Sequence, residues 1–278
     1  MIMKLDLSNA YGIVQGRLIK PPGNELQWFP HKEWEKEFDL ASQVGLNYIE
    51  LIAERQHNDY NPLWDEYGIE KIKKLVAKNK LYLHAFCNDY IIDHCLIKST
   101  KVIDQTLNLI SKGNKLGLEK LIFPLFEKSE MTRSNYKDYR GALTEVGDAA
   151  LENNMSICLE TILNGEHLLE VMKYLNHPNI CCVFDTGNRI AFGHDIYSDI
   201  ILLGDYIKHV HIKDKNDSDE NVLLGTGKVN FHKVFQSLSE IKYYGPYTFE
   251  TTRGRNPVET AKYNLSLAKF FINDTSGN

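Results

Sequence analysis

His209-Val210-His211-Ile212-Lys213-Asp214 alternates polar and apolar residues with the period of a β-strand, and its polar side carries two histidines and a lysine. Successive residues on one side of a strand stand about 6.6 Å apart, so His209, His211 and Lys213 form a row of layers while Val210 and Ile212 face the other way. Such a row is expected where it turns into a shared interior and meets partners there. The surrounding sequence shows what encloses it.

Short β-rich segments recur along the chain, at residues 11–15, 48–52, 81–86, 120–125, 156–161, 180–185, 207–213 and 247–251. Amphipathic stretches follow each of them, at 32–44, 66–79, 100–116, 135–153, 166–175, 196–203, 231–242 and 258–271. In the third stretch Val102, Ile103, Leu107, Leu109 and Ile110 recur near a helical period and leave Lys101, Asp104 and Asn108 outside. Gly45 and Gly117 follow helical stretches and precede strands, as a left-handed helix terminus requires. Eight strand-helix repeats with no shift of composition predict an α/β chain closed into a (β/α)8 TIM barrel, a single domain over residues 1–278 with 273–278 as a frayed tail. An open doubly wound sheet is the alternative. The stretch 55–64 is expected to cover part of the barrel mouth.

The chain has 278 residues, 43% of them hydrophobic, enough for one large shared core, and its net charge of −5 supplies no basic field for a phosphate backbone. No run approaches the roughly 18 apolar residues of a membrane span, and the opening MIMKLDLSNAYG has no basic region leading into an apolar stretch. A soluble, cytoplasmic protein is expected, with no nucleic-acid or membrane partner; assembly into a homo-oligomer stays open. Cys87, Cys95, Cys158, Cys181 and Cys182 are odd in number and form no CxxC pair, which predicts buried, reduced thiols.

Chemistry in such a barrel collects at the C-terminal ends of the strands. The fifth segment ends in Glu160, the sixth in Asp185, the seventh in His211 and the eighth in Glu250, each behind a strongly apolar run. Four ionisable groups at the edge of a core need partners, because burying a lone carboxylate costs several kcal/mol. A shared divalent cation resolves the difficulty, and three carboxylates with one imidazole suit Mn, Mg, Co or Zn without selecting among them. His209, one layer deeper than His211, is expected to hold a hydrogen bond in the interior.

Taken in order, GLNYIEL (45–51), LYLHAF (81–86), ICLET (157–161), FDTGN (184–188), HVHIKD (209–214), LGTGKVNF (224–231) and FET (249–251) resemble the xylose isomerase-like barrels. That group includes sugar phosphate isomerases and epimerases, ketose 3-epimerases, inosose dehydratases and apurinic/apyrimidinic endonucleases. The resemblance implies one divalent metal held by Glu160, Asp185, His211 and Glu250, with Glu160 and Glu250 also passing the proton on opposite sides of the substrate. It implies substrate contacts at His84 and Glu166, which could equally be a core histidine and a first-turn helix acid. The endonuclease branch needs further histidines, but the matching places here read Asp185-Thr-Gly-Asn188, Phe123-Pro-Leu-Phe126 and Glu220-Asn221-Val222. Asn188 stands where ketose epimerases carry a substrate-contacting histidine; an amide donates a hydrogen bond without titrating near neutrality.

This constellation fits removal of a proton next to a sugar carbonyl, with a metal-stabilised enediolate and two glutamates as the proton carriers. Lys213 could steady the enediolate or a phosphate, or simply end its strand in solvent. Arg253 and Arg255 offer a clamp for phosphate or carboxylate, while GTGK lacks the full spacing of a nucleotide-binding loop. Gln15 and Arg17 bring an amide and a guanidinium to the mouth, and Trp28, Phe29 and Trp34 could wall a polyol pocket or anchor the first helix. The substrate is thus expected to be a small sugar or sugar phosphate. A lyase of the inosose dehydratase kind and a non-catalytic polyol-binding barrel are the alternatives.

Overall fold

The computed structural model describes residues 8–23 and 25–276. Eight strands, β1 (Tyr11–Val14), β2 (Tyr48–Ala53), β3 (Ala85–Asn88), β4 (Lys120–Leu125), β5 (Ser156–Thr161), β6 (Ile180–Asp185), β7 (Ile207–Ile212) and β8 (Tyr247–Phe249), pair in chain order. All pairs are parallel, and β1 meets β8 through Tyr11↔Tyr247 to Ile13↔Phe249, which closes the barrel and excludes the open sheet. The strands are buried on both faces, as a parallel barrel wrapped in helices requires.

The helices are α1 (Lys36–Val44), α2 (Glu66–Asn79), α3 (Tyr90–Asp93), α4 (Thr100–Leu116), α5 (Arg140–Glu152), α6 (Gly165–Leu175), α7 (Thr186–Ala191), α8 (Ile196–Leu203), α9 (Phe231–Glu240) and α10 (Pro257–Ser276). Gly45 and Gly117 end α1 and α4 with positive φ, 89° and 74°. Phe38 and Ala41 of α1 and Val102, Leu109 and Ile110 of α4 press on the barrel wall. The expected tail is helical through Ser276, and residues 277 and 278 lie outside the described residues, as does most of the opening segment. None of the described helices is long and apolar enough to cross a membrane. Cys87, Cys158, Cys181 and Cys182 are buried and free, whereas Cys95 is half-buried.

One strand sits differently from the sequence expectation. The apolar run 81–86 reads as the third strand, yet pairing with β2 starts only at Leu51↔Phe86, and Tyr82 contributes no more than an isolated bridge to Tyr48. Asn88 and Asp89 therefore reach the mouth, and His84 lies below the strand.

The chain leaves β1 and turns at Gly16, where φ is 85° and an added Cβ would stand 1.9 Å from the Trp28 carbonyl oxygen. Glu37 of α1, fully buried, holds this turn by accepting from Gly16 N at 2.8 Å and Leu18 N at 3.2 Å. Burial nevertheless pushes its carboxyl up to about 7. A carboxyl raised in the folded state contributes stability that is present below its unfolded value and is lost as pH rises through about 7. Between pH 4.5 and 7.5 the protein should lose up to roughly 3 kcal/mol more than a Glu37→Gln variant. Urea titrations of both proteins across that range give the difference, and parallel profiles would refute it.

Candidate functional site

Glu160, Asp185, His211 and Glu250 come from four consecutive strand ends, and one donor atom from each lies within 4.8 Å of the others. His211 Nδ1 stands 3.2 Å from Glu250 Oε2 and 3.8 Å from Asp185 Oδ2. Each group is held from behind. His211 Nε2 donates to Glu50 Oε1 at 3.0 Å, Asp185 Oδ1 accepts from Asn188 N at 2.6 Å, and Glu160 Oε1 accepts from Asn188 Nδ2 at 2.9 Å. Glu250 Oε1 takes the Arg17 guanidinium at 3.3 Å.

His211 Nδ1 is buried without a hydrogen-bond partner and faces carboxylates from two strands. A carboxylate can only accept, so the Glu50 contact keeps a proton on Nε2. Burial lowers His211, but Glu50 and Glu250 outweigh it and hold the ring well above the usual imidazole range, so a cation in the cluster would displace the Nδ1 proton and take that lone pair. Three carboxylates with that lone pair fit a divalent cation. Lys213 Nζ closes the group, 2.8 Å from Glu250 Oε2 and 3.0 Å from Asp185 Oδ2. Gly187 makes room for it, since an added Cβ would lie 2.7 Å from Lys213 Cγ.

The two glutamates differ in proton affinity. Burial pushes Glu160 up to about 8, with the Asp185 and Glu250 charges adding to it and His211 opposing. Burial acts on Glu250 in the same direction, but Lys213, His211 and Arg17 together hold it well below the usual carboxylate range. One flank thus favours the protonated acid and the other the carboxylate.

Other expected contacts fall elsewhere. His84 stacks on His209 at 5.7 Å below the site, with Nδ1 3.4 Å from Glu119, because the strand starts one residue after it. Glu166 is exposed on the first turn of α6, where an acid complements the helix dipole. Arg253 spends its guanidinium on the carbonyls of Gly16 (2.7 Å), Glu25 (2.8 Å) and Leu26 (3.0 Å), so it fastens the loop after β1 and is no free clamp. Phe29 and Trp34 belong to the core, and the buried Gln15 accepts from Ile52 N at 3.2 Å. Arg55 lines the cavity and meets Glu127 across the mouth, whereas residues 56–64 are not among its lining.

Sequence reasoning missed Glu50, Asp89 and Glu127, all on a cavity of about 300 Å³ that opens onto Glu160, Asn188, His211 and Glu250. Glu50 carried a signal, as the lone acid of the otherwise uncharged strand YIELIA.

The amides of the 225–229 loop are spent within the fold. Three are taken by the buried Asp214, whose Oδ2 accepts from Gly225 N and Gly227 N at 2.9 Å and whose Oδ1 accepts from Val229 N at 3.1 Å. Asp214→Ala strips three loop amides of a charged acceptor and is expected to cost roughly 3–5 kcal/mol in urea unfolding. A cost below about 1 kcal/mol would show that water replaces the carboxylate.

A (β/α)8 barrel with a cation-ready cluster at its mouth defines the broad class. The profile of the family described as xylose isomerase-like TIM barrel matches residues 38–270, and the chain belongs to that family. L-ribulose-5-phosphate 3-epimerase UlaE of Salmonella heidelberg is 24% identical over 249 residues, which are 82% of this chain and 87% of that protein. The ketose 3-epimerase of Arthrobacter globiformis is 29% identical over 128 residues, 43% of each chain, so that match spans less than half of either protein. Among solved structures, the D-allulose 3-epimerase from Methylomonas sp. superimposes with a TM-score of 0.75 at 19% identity, covering 95% of this chain and 98% of that one.

Proposed function

We propose that this protein is a divalent-metal-dependent isomerase or epimerase of a sugar or sugar phosphate, with Glu160, Asp185, His211 and Glu250 as the metal ligands. The observation that carries the reading is the convergence of four donor atoms within 4.8 Å on a cavity of about 300 Å³. What a divalent cation supplies in this cradle is positive charge beside the oxygens on which charge develops. Glu250, held as a carboxylate, takes the proton from the carbon next to the carbonyl. Glu160 delivers a proton from the other flank, and the choice of face decides epimerisation. Asn188 orients Glu160 and offers its amide to a sugar hydroxyl. Lys213 lies where a developing oxyanion would meet it. The names of the relatives support the same chemistry.

Stripping the protein with a chelator should abolish both turnover and exchange of the substrate C–H proton with deuterated water, and added Mn²⁺ should restore them. Full activity of the stripped protein would remove the metal role. A product lighter by one water would identify a lyase.

A further inference from the structure

Relatives of both kinds, acting by name on a free ketose and on a ketose phosphate, leave the charge of the substrate open. We infer that the site takes an unphosphorylated ketose and discriminates against its phosphate. The inference rests on the isomerase or epimerase reading and narrows its substrate class.

A phosphate dianion is held by free guanidinium or ammonium groups or by unspent backbone amides. Around this cavity the cationic groups are already paired with acceptors, although Arg17 Nε and Arg55 Nε make no hydrogen bond of their own. Arg17 binds Glu250, Gln27 and the Thr251 carbonyl, Arg253 binds three carbonyls, and Lys213 lies between Asp185 and Glu250. Arg55 is the one cation among the described residues lining the far wall. Its Nε lies 3.2 Å from Asp93 and its other end meets Glu127. Amides fare the same way, since Asp185 caps α7, Asn164 caps α6 and Asp214 takes the 225–229 loop.

What the wall does offer is acceptors. Asp89 is 3% exposed, lines the cavity, and its Oδ2 is buried without a hydrogen-bond partner. Two carboxylates of this wall, Asp89 and Glu127, thus stand with one guanidinium, which Asp93 also pairs from outside the lining. Hydroxyl groups donate to such a wall, whereas a phosphate can only accept and is repelled by it. Burial pushes Asp89 up to about 6, against the Cys87 thiol that donates to Oδ1 at 3.1 Å. A cavity of about 300 Å³ suits a single monosaccharide.

The test is kcat/KM for a panel of ketopentoses, ketohexoses and their terminal phosphates with the Mn²⁺ protein, read by proton exchange in deuterated water. The best free ketose should exceed its own phosphate by at least about tenfold. Inorganic phosphate should not compete with it. Asp89→Asn should lower kcat/KM on the free ketose about tenfold and narrow the gap to the phosphate, with Mn²⁺ binding unchanged. A phosphate that reacts as well as or better than the free sugar overturns the inference while the epimerase reading stands. Exchange with none of the sugars overturns both.

Discussion

A Glu250→Gln protein is expected to lose roughly 10³-fold in kcat/KM on its best sugar and to stop exchanging the substrate proton with solvent. The amide keeps the shape and an acceptor for Arg17 but cannot take a proton from carbon. Two side effects must be separated from that loss. Glu250 faces His211 Nδ1 and Lys213 Nζ as well as the cavity, so the variant also weakens the cation cradle and leaves Lys213 with one carboxylate, Asp185, beside the Asn188 amide oxygen. Metal content measured at saturating Mn²⁺, and kcat measured in the same samples, distinguish a poorly loaded protein from one without a base. Exchange retained at the wild-type rate in fully loaded variant would take Glu250 out of the proton path.

Glu160→Gln makes an instructive companion. Without a cation, burial favours the neutral form of Glu160, so the amide should disturb the fold little, but it also removes one carboxylate from the metal cradle and metal content has to be measured alongside. A variant that still removes the substrate proton but returns it to one face only would assign Glu160 to the second transfer.

Much of this was legible because strand ends in a parallel barrel carry polar residues into an otherwise apolar interior. ICLET, FDTGN, HVHIKD and FET each show an ionisable group directly behind apolar residues, and the structure brings those four together. The depth ordering along β7 was legible too, since a period of two alone puts His209 a layer below His211. The placement of β3 was not. Parallel barrel strands are apolar on both faces, so LYLHAF offers no alternation from which to read where pairing begins, and the slip took His84 for Asp89 as the mouth residue. Arg253 misled for another reason. Its partners are carbonyls 227 to 237 positions earlier in the chain, and nothing local shows that a guanidinium will be consumed by backbone.

Glu50 is the deepest case of the same limit, and it carries the second large effect. Fully buried on β2, it accepts from His211 Nε2 at 3.0 Å and His209 Nε2 at 2.7 Å, with Thr248 Oγ1 at 3.3 Å. Burial works to raise its carboxyl, but the two histidines overcome this and hold it well below the usual range. Glu50→Ala takes the shared carboxylate from both imidazoles, leaving His211 Nε2 without its acceptor and His209 Nε2 with Thr248 alone, and is expected to cost roughly 3–5 kcal/mol in unfolding free energy. The isosteric Glu50→Gln keeps one acceptor and gains a donor, so it should fold with a smaller loss. Its effect appears at the cation instead. With the ring proton of His211 no longer fixed on Nε2 by a carboxylate, Mn²⁺ affinity should fall about 10- to 100-fold. The ¹⁵N shifts of the His211 ring should move toward a tautomer mixture, a change that loosened packing alone would not produce. Calorimetric Mn²⁺ titration and ring ¹⁵N spectra of the folded variant decide the matter. Unchanged affinity together with unchanged shifts would reduce Glu50 to a filler of the barrel core.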